Sequence, residues 1–131
     1  MAGTVSAEHT NYNSGINKMV IDWLSDTAGA ATITTDPIRG LIHRVVFIPD
    51  SGATQPTNLY DVTLKDENEV DVLQAGGANL ANNATTSVIP LTDNNAGTDA
   101  FHIAVCDNLD LAVSNAGSEN GGQIIIYYEV L

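Results

Sequence analysis

The sequence predicts an all-β protein, a two-sheet β-sandwich of about eight strands arranged as a jelly roll. Three observations carry this. Apolar residues alternate with period two over short runs, as in Tyr60, Val62 and Leu64 against Asp61, Thr63 and Lys65. The runs stop at Asn, Asp, Gly and Pro, which supply turn geometry, and such stops recur every roughly 8–12 residues. No period of 20–50 residues repeats, which argues against a solenoid or propeller.

The elements follow in chain order. Residues 1–17 are polar and read as an N-terminal arm, with one short strand at 4–8; residues 18–131 read as a single β-sandwich domain. In residues 18–24, Met19, Ile21 and Trp23 share one face of a strand closed by Ser25-Asp26. Residues 31–35 form a weaker, Thr-rich strand ended by Asp36-Pro37. Residues 39–48 are the strongest strand. Unbroken alternation sends Leu41, Val45 and Phe47 one way and Ile42, Val46 and Ile48 the other. A loop with Gly52 and Pro56 leads to the strand at 59–65, and Asp66-Glu67-Asn68-Glu69 turns it into a partner at 70–73. Leu80 anchors the small, polar stretch 76–83, where one helical turn fits. Residues 84–91 are the next strand. Residues 101–106 and 109–114 pair as a hairpin across Asp107-Asn108, and residues 123–131 close the chain.

Charge bounds the function. Sixteen acids against four bases, Lys18, Arg39, Arg44 and Lys65, give a net charge of -12. Nucleic-acid binding needs Lys and Arg to neutralise phosphates, and docking on anionic lipid needs them too, so both are excluded as expectations. The single cysteine, Cys106, forbids an intrachain disulfide. The start, Met-Ala-Gly-Thr-Val-Ser-Ala-Glu, has no basic region followed by an apolar one, so no secretory signal is read there. The longest apolar runs are too short for a membrane-spanning helix. These features point to synthesis in a reducing cytoplasm. The sequon Asn83-Ala84-Thr85 is read as chance.

No constellation names a reaction, and the chain is expected not to be an enzyme. The acidic turn Asp66, Glu67, Glu69, Asp71 is the best metal candidate, but it lacks the Gly and terminal Glu of a calcium loop and is read as a solvated hairpin. His9, His43 and His102 have no partner at zinc-ligand spacing. His43 and His102 are read as hydrogen-bonded strand residues. His102 and Cys106 share a face but stand too far apart for a catalytic pair, and Cys106 is read as a buried, inert thiol. Ser51 in Pro-Asp-Ser-Gly lacks the glycine frame of a nucleophile elbow. No metal or cofactor is expected.

Two strands are apolar on both faces. Residues 39–48 are one; the last strand, with Ile125, Tyr127 and Leu131 opposite Ile124, Ile126, Tyr128 and Val130, is the other. Two readings stand: coverage by the arm or a loop, and a subunit interface, which is preferred because contiguous exposed apolar surface is rare in monomers. The expected interface residues are Thr4, Val5, His9 and Tyr12 on the arm, and Ile42, Arg44, Val46, Ile125, Tyr127 and Leu131 on the two-faced strands.

Phe47-Ile48-Pro49-Asp50-Ser51-Gly52, Gln55-Pro56-Thr57, Tyr60-Asp61-Val62-Thr63-Leu64 and Asp71-Val72-Leu73 resemble small virion proteins of tailed bacteriophages, most closely head decoration, or cement, proteins. The likeness is concentrated in residues 40–91. The resemblance implies β-sandwich or jelly-roll subunits, often homotrimers, on the outer capsid surface where major capsid protein subunits meet, bracing the shell against internal pressure. Other virion parts (tail, neck or head-fibre base) and a jelly-roll carbohydrate-binding module or hydrolase remain alternatives.

Overall fold

A computed structural model of the chain describes residues 3–10, 15–93 and 100–130. Among them run β1 (Thr4–Thr10), β2 (Gly15–Leu24), β3 (Ala31–Thr34), β4 (Ile38–Pro49), β5 (Asp61–Lys65), β6 (Thr86–Val88), β7 (Leu91–Asp93), β8 (Ala100–Asp107), β9 (Asp110–Ser114) and β10 (Gly121–Val130), with one 3-10 turn at Gly52–Thr54. They form the expected two-sheet β-sandwich, divided unevenly. The larger sheet has seven strands in the order β1-β2-β10-β4-β8-β7, with β6 also pairing β4; the smaller is β3-β9-β5.

Alternation builds the core. Met19, Ile21 and Trp23 of β2 and Ile124, Ile126 and Tyr128 of β10 turn inward from the larger sheet, and Val62, Leu64, Leu111 and Val113 meet them from the smaller. Burying a side chain of this size contributes about 1.5–3 kcal/mol. The Trp23 and Tyr60 rings meet with centroids 5.7 Å apart. Burial also raises the Tyr60 hydroxyl to about 12, because the phenolate would lose its water.

The strand β4 does not alternate throughout. Tyr127 pairs with Arg44, but its neighbour Tyr128 pairs with Ile42, so His43 is an extra residue in β4. Such a β-bulge shifts the side-chain phase by one. Ile38 and Ile42 before it, and Val45 and Phe47 after it, therefore all enter the core, each fully buried. This corrects the unbroken alternation: Ile42 does not share a face with Val46 and Ile48, and Leu41 does not share one with Val45. Gly40 lies just before the bulge because β10 passes close; a Cβ there would run into the Glu129 carbonyl.

Four further differences each have a structural cause. Residues 101–106 and 109–114 do not form a hairpin: β8 lies in the larger sheet and β9 in the smaller. The chain crosses between sheets at Leu109, which is fully buried. The Thr35 amide donates to the Leu109 carbonyl (2.8 Å), the Leu109 amide to Thr35 Oγ1 (3.1 Å), and Asn108 Nδ2 to the Thr35 carbonyl (2.7 Å). The expected strand at 84–91 divides into β6 on β4 and β7 on β8, around Pro90, which has no amide to donate.

Residues 70–73 make one bridge, Lys65 to Asp71, instead of a strand. The Asp71 carboxylate explains this: it accepts from the backbone amides of Leu64 (3.0 Å), Leu73 (3.1 Å) and Ala75 (3.3 Å), curling the chain around itself. Finally, of the segment read as an arm, residues 4–10 and 15–17 belong to the larger sheet. β1 pairs with β2 from Thr4 opposite Leu24 to Thr10 opposite Lys18, and residue 17 falls inside β2. Val5, opposite Trp23, packs against the core and ties β1 down.

Candidate docking face

The phase of each strand decides what its sheet shows to the outside. On the larger sheet, Val20, Ile125, Val46 and Ser87 stand side by side across four strands. One row along lie Asp22, Gln123 and Ile48; on the other side lie Lys18, Tyr127 and Arg44. Beyond the bulge follow Glu129, Leu41 and Ala104, then Arg39 beside Cys106. Val46 is 8% exposed, and Val20, Ile48, Ile125, Tyr127 and Leu41 are half-buried. The outer face thus carries a central apolar stripe.

Polar groups frame the stripe. The Arg44 guanidinium lies over the Tyr127 ring, 4.7 Å from its centroid, which holds the arginine in place while leaving it exposed. The bulge turns His43 outward, where its Nε2 meets Glu129 Oε1 at 2.7 Å. The His43 ring rests on that of His102, centroids 4.4 Å apart. His102 Nδ1 is buried without a hydrogen-bond partner among the described residues.

The outer face of the smaller sheet is different in kind. Thr32, Ala112 and Thr63 form one row, Thr34, Asp110 and Lys65 the next, and Ser114 pairs with Asp61. Nothing on it is larger and apolar than Ala112. Its polar groups engage one another and nearby loops: Thr34 Oγ1 donates to Asp110 Oδ1 (2.6 Å), Asn115 Nδ2 to Asp61 Oδ2 (2.6 Å), and Lys65 approaches Glu69 at 4.0 Å. Water satisfies such a face without a protein partner.

Of the ten expected interface residues, the structure brings Arg44, Val46, Ile125 and Tyr127 together on the larger sheet's outer face. Ile42 is taken into the core by the bulge and leaves the set. Thr4 is exposed on the edge strand β1, while Val5 packs inward. His9 holds the register position opposite Met19, and Tyr12 and Leu131 lie outside the described residues. Ile48, read from the sequence on one face with Val46, joins this face although it was not among the expected interface residues, and Val20, Lys18 and Arg39 were missed as members of it. Their signal was present in the period-two spacing of Lys18, Val20 and Asp22, which was read only for its inward side.

Cys106 is exposed, which corrects the buried thiol. Ile103 and Val105 take the inward positions of β8, so alternation places Cys106 outward, on the same side as His102. In the acidic turn Asp66 Oδ1 accepts from the amides of Asn68 (2.9 Å) and Val70 (3.0 Å), as Asp71 does from its three. No group of three or more metal-ligating side chains occurs among the described residues. A shallow cleft of about 240 Å³ beside Pro49 is lined by Asp50, Ser51, Gln55, Asn82 and Asn83. Two of these are spent internally, Gln55 Nε2 donating to the Asn82 carbonyl and Asp50 accepting from Thr54.

No family model matches the chain, and no curated protein does. Among solved structures, a chain of the cyanophage Pam1 capsid asymmetric unit is 17% identical with a TM-score of 0.39, covering 99% of this chain and 87% of that one. A chain of infectious bursal disease virus, Gx strain, is 14% identical with a TM-score of 0.35, covering 97% and 32%. The lectin binding domain of Lectinolysin, a His 62 mutant complexed with Lewis b, is 10% identical with a TM-score of 0.31, covering 98% and 92%.

Proposed function

We propose that this chain is a non-enzymatic structural protein of a tailed-bacteriophage head, a decoration protein that lies on the outer surface of the major capsid protein lattice. The observation that carries the reading is the contrast between its two outer faces. The larger sheet presents Val20, Ile48, Val46, Ile125 and Tyr127 around an exposed arginine, and the smaller presents Thr, Ser and Asp. A protein with one wetted face and one half-apolar face is built to lie on something. The resemblance of residues 47–52, 55–57, 60–64 and 71–73 to phage head decoration proteins supports a capsid as that support.

The area suits the task. About six strands at ~4.8 Å spacing and roughly seven residues at ~3.3 Å give a face of about 650 Å². That is slightly under the ~800 Å² per partner of a standard interface. Single contacts of this size are modest, but presentation as a homotrimer, which the resemblance implies, would multiply them through effective concentration. Stabilisation follows by mass action, since rupture of a capsid joint must also break the contacts that bridge it.

The test is co-sedimentation of the purified chain with phage heads assembled without it, followed by heating of both kinds of head. Saturable binding and a higher rupture temperature support the reading. Absence of binding, or a copy number matching a tail, neck or fibre-base position, removes it.

A further inference from the structure

The chain has four cations, and their placement is uneven. Lys18, Arg39 and Arg44 all lie on the outer face of the larger sheet, opposite Tyr127, Cys106 and Tyr127 respectively. The fourth, Lys65, is on the smaller sheet and approaches Glu69. None of the first three has a carboxylate within ion-pair distance among the described residues, although the chain carries sixteen acids. Among the described residues these three cations share the outer face with the apolar stripe, together with Asp22 and with Glu129, which His43 engages. Arg44 is also pre-positioned: stacking on Tyr127 occupies its face and leaves its N–H edges open for bidentate contact with a carboxylate.

Resting on the capsid reading above, we infer that the larger sheet's outer face docks on a carboxylate-bearing protein surface of the shell, with Lys18, Arg39 and Arg44 supplying the charges that match it. Phosphate-rich partners are disfavoured because a net charge of -12 would repel a nucleic acid while three cations attracted it. An acidic protein patch of limited size meets only this face. The placement also fixes orientation: the threonine face and the acidic loops point to solvent, and their mutual repulsion keeps decorated heads apart.

The experiment uses the full chain and heads assembled without it, with binding measured from about 50 mM to about 500 mM salt, over which screening shortens to well under ~10 Å. Affinity should fall by tenfold or more across that range. Arg44→Glu and Arg39→Glu should each weaken binding about tenfold at the low end, while Lys65→Glu stays within about twofold of the parent. Circular dichroism of each variant separates lost charge from lost folding, and Arg39, which stacks on no ring among the described residues, serves if Arg44→Glu disturbs the Tyr127 platform. Binding that is indifferent to salt and to both arginine reversals overturns the inference while leaving the decoration reading intact. No binding by the parent chain at any salt overturns the decoration reading itself. A free chain that Arg44→Glu converts from oligomer to monomer, with head binding unchanged, identifies the occupant of the face as a second copy and overturns the inference.

Discussion

Replacing Ile42 and Arg44 by alanine, one at a time, tests whether the bulge at His43 sets the phase of β4. Unbroken alternation from Arg39 would place both residues on the outer face, and both substitutions would then cost little. With the bulge, Ile42 is fully buried opposite Ile103, and Arg44 is exposed over Tyr127. Ile42→Ala removes three carbon groups at about 0.8 kcal/mol each and leaves a cavity, which together cost about 3–4 kcal/mol. At roughly 2.1 cal/mol/K of unfolding entropy per residue, this lowers the melting temperature by about 10–15 °C. Arg44→Ala gives up an exposed cation–π contact of about 0.5–1 kcal/mol, or about 2–4 °C. Differential scanning calorimetry of the two variants decides it. Equal losses, or a larger loss at Arg44, would refute the bulge as the feature that orders this sheet.

Other expected outcomes concern single side chains. Tyr60 titrates at about 12, above its ordinary value near 10, because burial disfavours the phenolate. A raised value means that the folded state holds the proton longer, so stability is intact below about pH 10 and is lost as pH rises toward 12. The loss amounts to roughly 2–3 kcal/mol, and the part that Tyr60 carries should disappear in Tyr60→Phe, read from urea midpoints between pH 9 and pH 12. Asp26 is held below the ordinary carboxylate value by the backbone amides of Ala30 and Ala28, so it stabilises above the unfolded-state value and that stability is lost as pH falls through the folded one. Asp26→Asn should flatten the acid limb of the stability profile, as read by urea midpoints between pH 5 and pH 2. Asp71→Ala should cost about 2 kcal/mol by urea denaturation, since it abandons the amides of Leu64, Leu73 and Ala75.

Much of this fold is legible in the sequence where a strand has one apolar side. Tyr60, Val62 and Leu64, and Met19, Ile21 and Trp23, declare their inward faces by period two alone, and all six are buried. What escaped depends on partners distant in sequence. The bulge adds one residue, and the spacing of three between Ile42 and Val45 is its only trace, which an apolar run on both faces hides. The crossing at Leu109 looks like a hairpin because Asp107-Asn108 suits a turn; the bonds that make it an arch come from Thr35, over seventy residues away. Asp71 is the exception: its partners, the amides of Leu64, Leu73 and Ala75, are near in sequence, but the residue types do not state that the carboxylate turns back on them.

The larger sheet's outer face was half legible. The two-faced strands pointed to Val46, Ile125 and Tyr127, and these do share an outer surface. Lys18, Val20 and Arg39 join them only once β2, β10, β4 and β8 are laid side by side, an order no local pattern states. The gathering on one face of three cations without an ion-pair partner among the described residues is a property of topology. Composition alone yields only the excess of acid.

The lone cysteine offers a direct measurement of the proposed docking on a capsid shell. Cys106 is exposed beside Arg39 on the larger sheet's outer side. Maleimide labelling of the free chain should proceed readily there, and binding to heads should slow it at least tenfold. A Thr32→Cys variant in a Cys106→Ser background, reporting from the smaller sheet, should label at the same rate free and bound. The reverse pattern, with Cys106 reactive on heads and the residue 32 thiol protected, would contradict docking through the larger sheet.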